Sequence, residues 1–482
     1  MSRPITTRNY RLDGPENARA VQLGLTSAQW WQPPIPREKL ITLSQRSNLR
    51  PIRDTTIWIC LLVASGFLLI TTWFSWWSLP LMILYGALYG GAADSRWHEC
   101  GHGTAFKNSG LNTGVYYLAS FLLWREPTVW KWSHYRHHSD TIIVGRDPEI
   151  AFPRPTGLKE FPLLFSHLVN GMKLFQRICM HAAGKIDTQV KDYVPEKEHR
   201  KVVWEARVFT FILAISAAAA IWTWHPLPIL IVGLPTIYGA WLFIFFGVTQ
   251  HAGLQEDVLD HRLNTRTVYM NPIFRFLYSN MNYHLEHHLF PDVPYYSLPA
   301  LHGELRPYLP EPSPSCLNAY TEILTIFRKQ KSNPQAEITS RKIPTVAQNL
   351  SSDAICPIQV DNTTSFDLGS LRDIDVGTMR KVEHEGNFHL LCRTSESEVF
   401  LTSGVCTHGN AYLNDGVLKG TIVQCPKHNG QFDVQTGKAI HKPATENLEI
   451  FNCGIVGGQI TTDFSKRTLK SFKSVFSLGK VS

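Results

Sequence analysis

The sequence predicts two architectures in one chain: a four-span α-helical transmembrane unit and, after it, a small all-β unit. Two observations predict this. Long apolar runs are confined to residues 55–250, and from about residue 357 the pattern changes to short β-rich runs separated by Gly and Asp turns. A length of 482 residues leaves room for both.

Residues 1–54 hold nine Lys/Arg against four Asp/Glu and no apolar run, so they read as a cytosolic N-terminal segment without a cleaved signal peptide. The membrane unit is expected over 55–305. Its spans are Thr55–Trp73, Leu79–Gly91 extending to about Trp97, Ala206–Trp222 and Leu227–Val248, arranged as two hairpins. The hairpin loops, FSWWSLP and WTWHPLP, carry no Lys or Arg. Positive charge marks the cytosolic side, which places the N-terminus, the middle region and the C-terminus there. Trp73, Trp76, Trp77, Trp222 and Trp224 then form an aromatic belt at the far interface. Gly114–Trp124 is apolar but too short to span, so it reads as an interfacial, re-entrant or core helix. Residues 306–356, rich in Pro, Ser, Asn and Lys, read as a linker, 357–463 as the all-β domain and 464–482 as a basic tail.

The net charge of +8 is spread along the chain without a nucleic-acid motif, so a bilayer surface explains it and nucleic acid is not an expected partner. Nine scattered cysteines, an odd number, exclude a secreted disulfide framework.

Eight of the twenty histidines fall in three tight groups: His98 and His102; His134, His137 and His138; His284, His287 and His288. Positions i, i+3 and i+4 share one helix face, so each group aims its imidazoles at one point. His251, just past the fourth expected span, emerges at the same membrane face as His98 and is a candidate ninth ligand. Eight or nine imidazoles suit two metal ions. Imidazole binds Fe, Zn or Cu, so ligand type alone does not choose between them. Glu99 and Glu286 lie inside the groups, placed either to orient a ligand imidazole or to face solvent, and Cys100 reads as a packed residue. His261 lies shortly before the third group.

Residues 406–437 carry the second signature. Cys406-x-His408 is followed by Cys425-x-x-His428, with glycines at 404, 409, 416 and 430. Two thiolates on one iron and two imidazoles on the other describe a [2Fe–2S] cluster of raised potential. A Cys2His2 zinc site shares the ligand types, but the glycines and the CPKHNGQFD pattern favour the cluster. No further Cys pair lies in these loops, which favours the ferredoxin type. A one-electron carrier would be wasted on zinc, so iron is the metal expected at the histidines.

The three histidine boxes resemble those of the membrane fatty acid desaturase superfamily, above all His284-Leu-Glu-His-His288-Leu-Phe-Pro running into PDVPYYSLPALH. Residues 359–463 resemble a Rieske ferredoxin. SRWHECGHGTAFK and HHSDTIIVGRDPEI resemble a bacterial subgroup, the desaturase-like proteins of rhizopine catabolism, whose Rieske ferredoxin is a separate chain. The resemblance implies a two-iron non-haem centre on the cytosolic face, held by His98, His102, His134, His137, His138, His284, His287 and His288, with His251 in the region of a further ligand. It implies Cys406, His408, Cys425 and His428 as cluster ligands and O2 as co-substrate. The expected activity is desaturation or hydroxylation of an unactivated C–H bond, on a lipid acyl chain or, by hydroxylation and demethylation, on a small methylated polar metabolite. An electron-transfer protein without oxygenase activity is the alternative of another class. No G-x-G-x-x-G fingerprint is present, so NAD(P)H is expected to act through a separate flavoprotein reductase.

Overall fold

Leu49–Thr71 is a helix because it is an unbroken run of apolar and helix-tolerant residues. Leu61, Val63, Phe67, Leu68 and Ile70 stay exposed on it, whereas Trp58 is fully buried and donates its indole N–H to the Leu88 carbonyl at 2.8 Å. Among the described residues two helices are long and apolar enough to cross a membrane, Leu49–Thr71 and Glu196–Trp222. They correspond to the first and third expected spans. The computed structural model describes residues 8–27, 29–158, 161–344, 356–360, 363–427 and 430–466.

The other two expected spans differ from uninterrupted helices. The second is a helical rod, Ser78–Gly86 followed by Ala92–His102, with a π-helical turn at Ala87–Gly91 between them. The fourth, expected as Leu227–Val248, is broken into Leu227–Ile231, Pro235–Tyr238 and Trp241–His251. Gly233 takes φ +101°, which ends the first piece, and Pro235 fixes the start of the next. Gly239 then packs so closely on Gly86 that a Cβ there would lie 2.1 Å from the Gly86 carbonyl oxygen. The two expected hairpins meet at their tips, where the Trp73 and His225 rings are 6.0 Å apart.

The linker expectation is corrected over part of its length. Cys316–Lys329 is a helix, N-capped by the Ser315 hydroxyl, and it buries Ile323, Ile326 and Phe327 against Ile244, Val248 and Leu254. Ile338 continues the contact by donating its N–H to the Gly253 carbonyl at 2.8 Å. The N-terminal segment is also anchored: the Arg8 guanidinium pairs with Glu16, Glu256 and Asp257. Residues 345–355 of the expected linker, and the basic tail from 467 onward, lie outside the described residues.

The chain divides into two compact units, Met1–Ala347 and Gln348–Ser482. The first is helical. The second is all-β, with strands β1 (Cys356–Val360), β2 (Thr363–Ser370), β3 (Thr378–His384), β4 (Asn387–Arg393), β5 (Val399–Ser403), β6 (Val417–Lys419), β7 (Ile422–Gln424), β8 (Gln431–Asp433), β9 (Ala439–His441), β10 (Ile450–Phe451), β11 (Gly454–Val456) and β12 (Gln459–Thr462). They pair antiparallel in three sheets of order β1-β2-β12-β11, β10-β5-β4-β3 and β6-β7-β8-β9. The sheet β6-β7-β8-β9 and the loops before it enclose a core of Leu413, Leu418, Val423 and Phe432 that includes Cys406 and Cys425.

Candidate metal centre

Four helices deliver the histidines of the first unit. His98 and His102 sit one turn apart at the end of Ala92–His102, which Gly103 terminates in the left-handed conformation at φ +72°. His134, His137 and His138 lie on Pro127–Ser139, which starts with proline at its first position. His251 is the last residue of Trp241–His251, and His284, His287 and His288 lie on the short helix His284–Leu289.

These nine imidazoles come together in two groups. One is His98, His102, His134, His138 and His287; the other is His137, His251, His284 and His288. Within each group the ligand atoms lie within 4.8 Å of one another. In the first group His98 and His287 face each other Nε2 to Nε2 at 2.7 Å, and His134 faces His102 at 3.0 Å and His138 at 3.1 Å. In the second His284 faces His251 at 3.0 Å and His288 at 3.1 Å.

The outer nitrogens explain which way the protons point. His137 Nδ1 donates to Asp147 at 2.8 Å, His134 Nδ1 to Glu149 at 3.1 Å and His251 Nδ1 to the Asn264 carbonyl at 2.8 Å. The Thr141 hydroxyl spends its proton on the His137 carbonyl and accepts from His288 Nδ1 at 3.3 Å. A neutral imidazole has one N–H. With that proton on Nδ1, the Nε2 atoms of His134, His137, His251 and His288 present lone pairs toward the ring nitrogens of their groups. Convergent imidazole lone pairs are what a cation takes up, and the donor set fits one metal ion per group.

Electrostatics support the neutral form. Burial first, then the neighbouring imidazoles, hold His138, His284, His287 and His288 well below the ordinary histidine range. His137 moves the other way: burial lowers it, but the Asp147 carboxylate outweighs that and raises it. Burial pushes Glu149 up, but the His134 and His137 rings and hydrogen bonds from His134 and the Ser133 hydroxyl carry it below the ordinary carboxylate range.

The in-box acids differ from each other. Glu99 lies 4.0 Å from His287 Nδ1 and accepts from the Thr104 hydroxyl and the Tyr295 N–H. Glu286 touches no ligand ring; its oxygens accept from His302 at 2.5 Å and from Thr267 at 2.6 Å. His261 is fully buried and stacked on Trp30 with ring centroids 4.3 Å apart, outside both groups. Cys100 is packed in the core and is in neither group. Asp147 and Glu149 are the residues the sequence reading missed. The available signal was a pair of acids shortly after the second box, in GRDPEI.

In the second unit Cys406 and Cys425 are buried at the tips of two loops, each with its N–H bonded across its own turn, to Ala411 and to Gly430, at 2.8 Å. A hydrogen bond with Cys425 pulls the Cys406 thiol down to about 7 against its burial, toward the thiolate a metal requires. His408 is half-buried in the first loop, and His428 lies outside the described residues. The glycines serve close approach: a Cβ on Gly416 would lie 2.1 Å from the Gln424 carbonyl oxygen, and one on Gly404 would lie 2.9 Å from His389. Two adjacent buried thiols fit the cysteine side of a [2Fe–2S] cluster.

A helical unit with two imidazole groups, followed by an all-β unit with paired thiols, defines an oxygenase-type redox protein. Residues 71–317 match the fatty acid desaturase family model, and the chain belongs to that family. Residues 364–452 match the Rieske [2Fe-2S] domain model. The second unit is 37% identical over 100 residues to the ferredoxin component of the naphthalene 1,2-dioxygenase system of Pseudomonas aeruginosa, covering 21% of this chain and 95% of that one. It is 38% identical over 96 residues to the component from Pseudomonas putida, covering 20% and 91%. A solved structure of the complex of reduced oxygenase and oxidized ferredoxin in carbazole 1,9a-dioxygenase aligns at 29% identity and TM-score 0.21, over 22% of this chain and 97% of that one. The chain is thus an oxidoreductase with a metal-binding histidine site, a Rieske cluster domain and the redox partners such a domain implies.

Proposed function

We propose that this chain is an O2-dependent, membrane-embedded non-haem di-iron enzyme that desaturates or hydroxylates an unactivated C–H bond with electrons drawn through its own Rieske cluster. The observation that carries this reading is the sorting of nine inward-facing imidazoles into a five and a four, in a chain that also bears a one-electron carrier. Zinc has no redox chemistry to use that carrier. His98, His102, His134, His138 and His287 would hold one iron and His137, His251, His284 and His288 the other. When bound there, the irons supply activation of O2. The chain's own part is positional: Asp147, Glu149 and the Asn264 carbonyl fix the tautomer and angle of the rings they touch. Cys406, His408, Cys425 and His428 would hold the cluster.

Four crossings remain the preferred topology. The rod Ser78–His102 and the broken segment 227–251 would return alongside the two long apolar helices. Trp76, Trp77, Trp222 and Trp224, all highly exposed, would lie at one interface and the histidines at the cytosolic one. NAD(P)H would act through a flavoprotein reductase. A lipid acyl chain is the substrate the family suggests. A small methylated polar molecule is the second reading, favoured by the cavity described below.

The test is mass spectrometry of products formed under 18O2 by the wild type and by His284→Ala. Unlabelled new double bonds would identify a desaturase, and label in an alcohol or formaldehyde a hydroxylase or demethylase. His284→Ala is expected to abolish either product and to keep the Rieske EPR signal. Full activity in that variant would refute the assignment.

A further inference from the structure

We infer that the reacting end of the substrate enters a small cavity of mixed apolar and polar lining beside His251, bordered by Gly247, and that the substrate is a compact, uncharged molecule carrying both apolar and polar groups. This rests on the oxygenase reading and names its substrate class. Of the nine imidazoles only His251 is not buried. A cavity of about 70 Å³ lies at that edge, between the 149–154 loop and the last turns of the helix Trp241–His251. At roughly 10–15 Å³ per water-sized group, it takes the end of a molecule about five such groups in size.

The charges in its wall are already matched. Glu149 accepts from Ser133 and His134. Glu256 accepts from Tyr10 and pairs with Arg8 and Arg154, and Arg154 also pairs with Glu337. A charged guest would lose its hydration without gaining an unmatched partner. A neutral guest with an ether or hydroxyl oxygen escapes that cost. Gln250 also lines the cavity, its amide nitrogen donating to the Tyr278 hydroxyl, so its carbonyl oxygen can accept from a guest that carries a hydroxyl.

Gly247 borders the cavity. It lies inside a helix, its φ is not positive, and a Cβ built on it meets nothing within 4 Å. Glycine in a helix interior is destabilising relative to alanine. Gly253, in the same wall, contrasts with it: φ is +75° and a Cβ would lie 2.5 Å from Ile326. Conformation and packing account for Gly253. Neither applies at Gly247, where the space beside the backbone is open.

The chemistry balances for a methyl ether. One methyl C–H bond breaks and a C–O bond forms with one atom of O2. The other atom leaves as water, with two electrons from the Rieske cluster and two protons. The hemiacetal then splits to an alcohol and formaldehyde.

The experiment uses the full-length holo-protein with 2-methoxyethanol and laurate as probes. Under nitrogen, where no turnover occurs, millimolar 2-methoxyethanol is expected to raise the Tm of the wild type by binding. That shift should vanish in Gly247→Val and shrink in Gly247→Ala, with iron content and the Rieske EPR signal unchanged. Gly247→Ala is expected to fold, since a Cβ there meets nothing within 4 Å, and the iron content and EPR signal of Gly247→Val check that the larger side chain is also accepted. With O2 and reductant, the KM for formaldehyde release should rise about tenfold in Gly247→Val. An equal Tm shift in wild type and Gly247→Val, or none in the wild type, overturns the proposal. So does laurate oxidation at the same rate by both proteins. A Tm shift lost on substitution without product from any protein would keep the cavity and sink the oxygenase reading.

Discussion

At the scale of single residues, the distinctive feature is that the imidazoles are aimed from behind. Asp147 is fully buried, takes the His137 Nδ1 proton on one oxygen, and with the same oxygen accepts the Ile142 N–H at 2.8 Å. It thereby ties the ring to the turn that follows the second box. Removing the charge should weaken the group His137, His251, His284 and His288 while leaving the other group intact. Asp147→Asn is expected to bind the iron of that group about 10–100-fold more weakly. Iron titration should then show one tight site and one weak site per chain; two tight sites would contradict the role given to Asp147. The convergence of the boxed histidines was legible in the sequence because helical spacing puts residues three and four apart on the same face. Asp147 and Glu149 were not, because an acid in a loop carries no periodicity and only the fold brings it behind a ring.

At the scale of elements, apolar composition and helical continuity part company. Leu227–Val248 is apolar enough to read as one span, yet Gly233, Pro235 and the Gly239–Gly86 contact divide it. Both breakers stood in the sequence; the backbone contact that uses them did not. The reverse happened at Cys316–Lys329. Its Pro- and Ser-rich flanks suggested a linker, but Ile323, Ile326 and Phe327 at i, i+3 and i+4 make one buried stripe. That helix covers Val248 and Leu254, on either side of His251, so it supports the second histidine group from outside. Phe327 is 1% exposed. Phe327→Ala is expected to cost about 3–5 kcal/mol of stability in the helical unit. Denaturation in detergent followed by tryptophan fluorescence checks it, and an unchanged midpoint would return the segment to the status of a tether.

At the scale of the whole molecule, two chemistries share one chain. The all-β unit resembles ferredoxin components that are separate chains in their own systems. Under the proposed reading, a covalent tether would turn the encounter of donor and acceptor into an intramolecular event, independent of protein concentration. The two functions should still separate by mutation, because the thiols and the imidazoles belong to different units. His408→Ala removes one proposed cluster ligand and leaves the nine imidazoles untouched. It is expected to abolish the Rieske EPR signal and all product formation driven by NAD(P)H and a reductase. Hydrogen peroxide carries both the oxygen atom and the oxidising equivalents, so that R–H and H2O2 give R–OH and H2O with no external electron. Product formation driven by peroxide is therefore expected to survive in His408→Ala and to be lost in His284→Ala. If His408→Ala keeps its NAD(P)H-driven rate, electrons reach the histidine site without the cluster, and the fused unit has some other purpose.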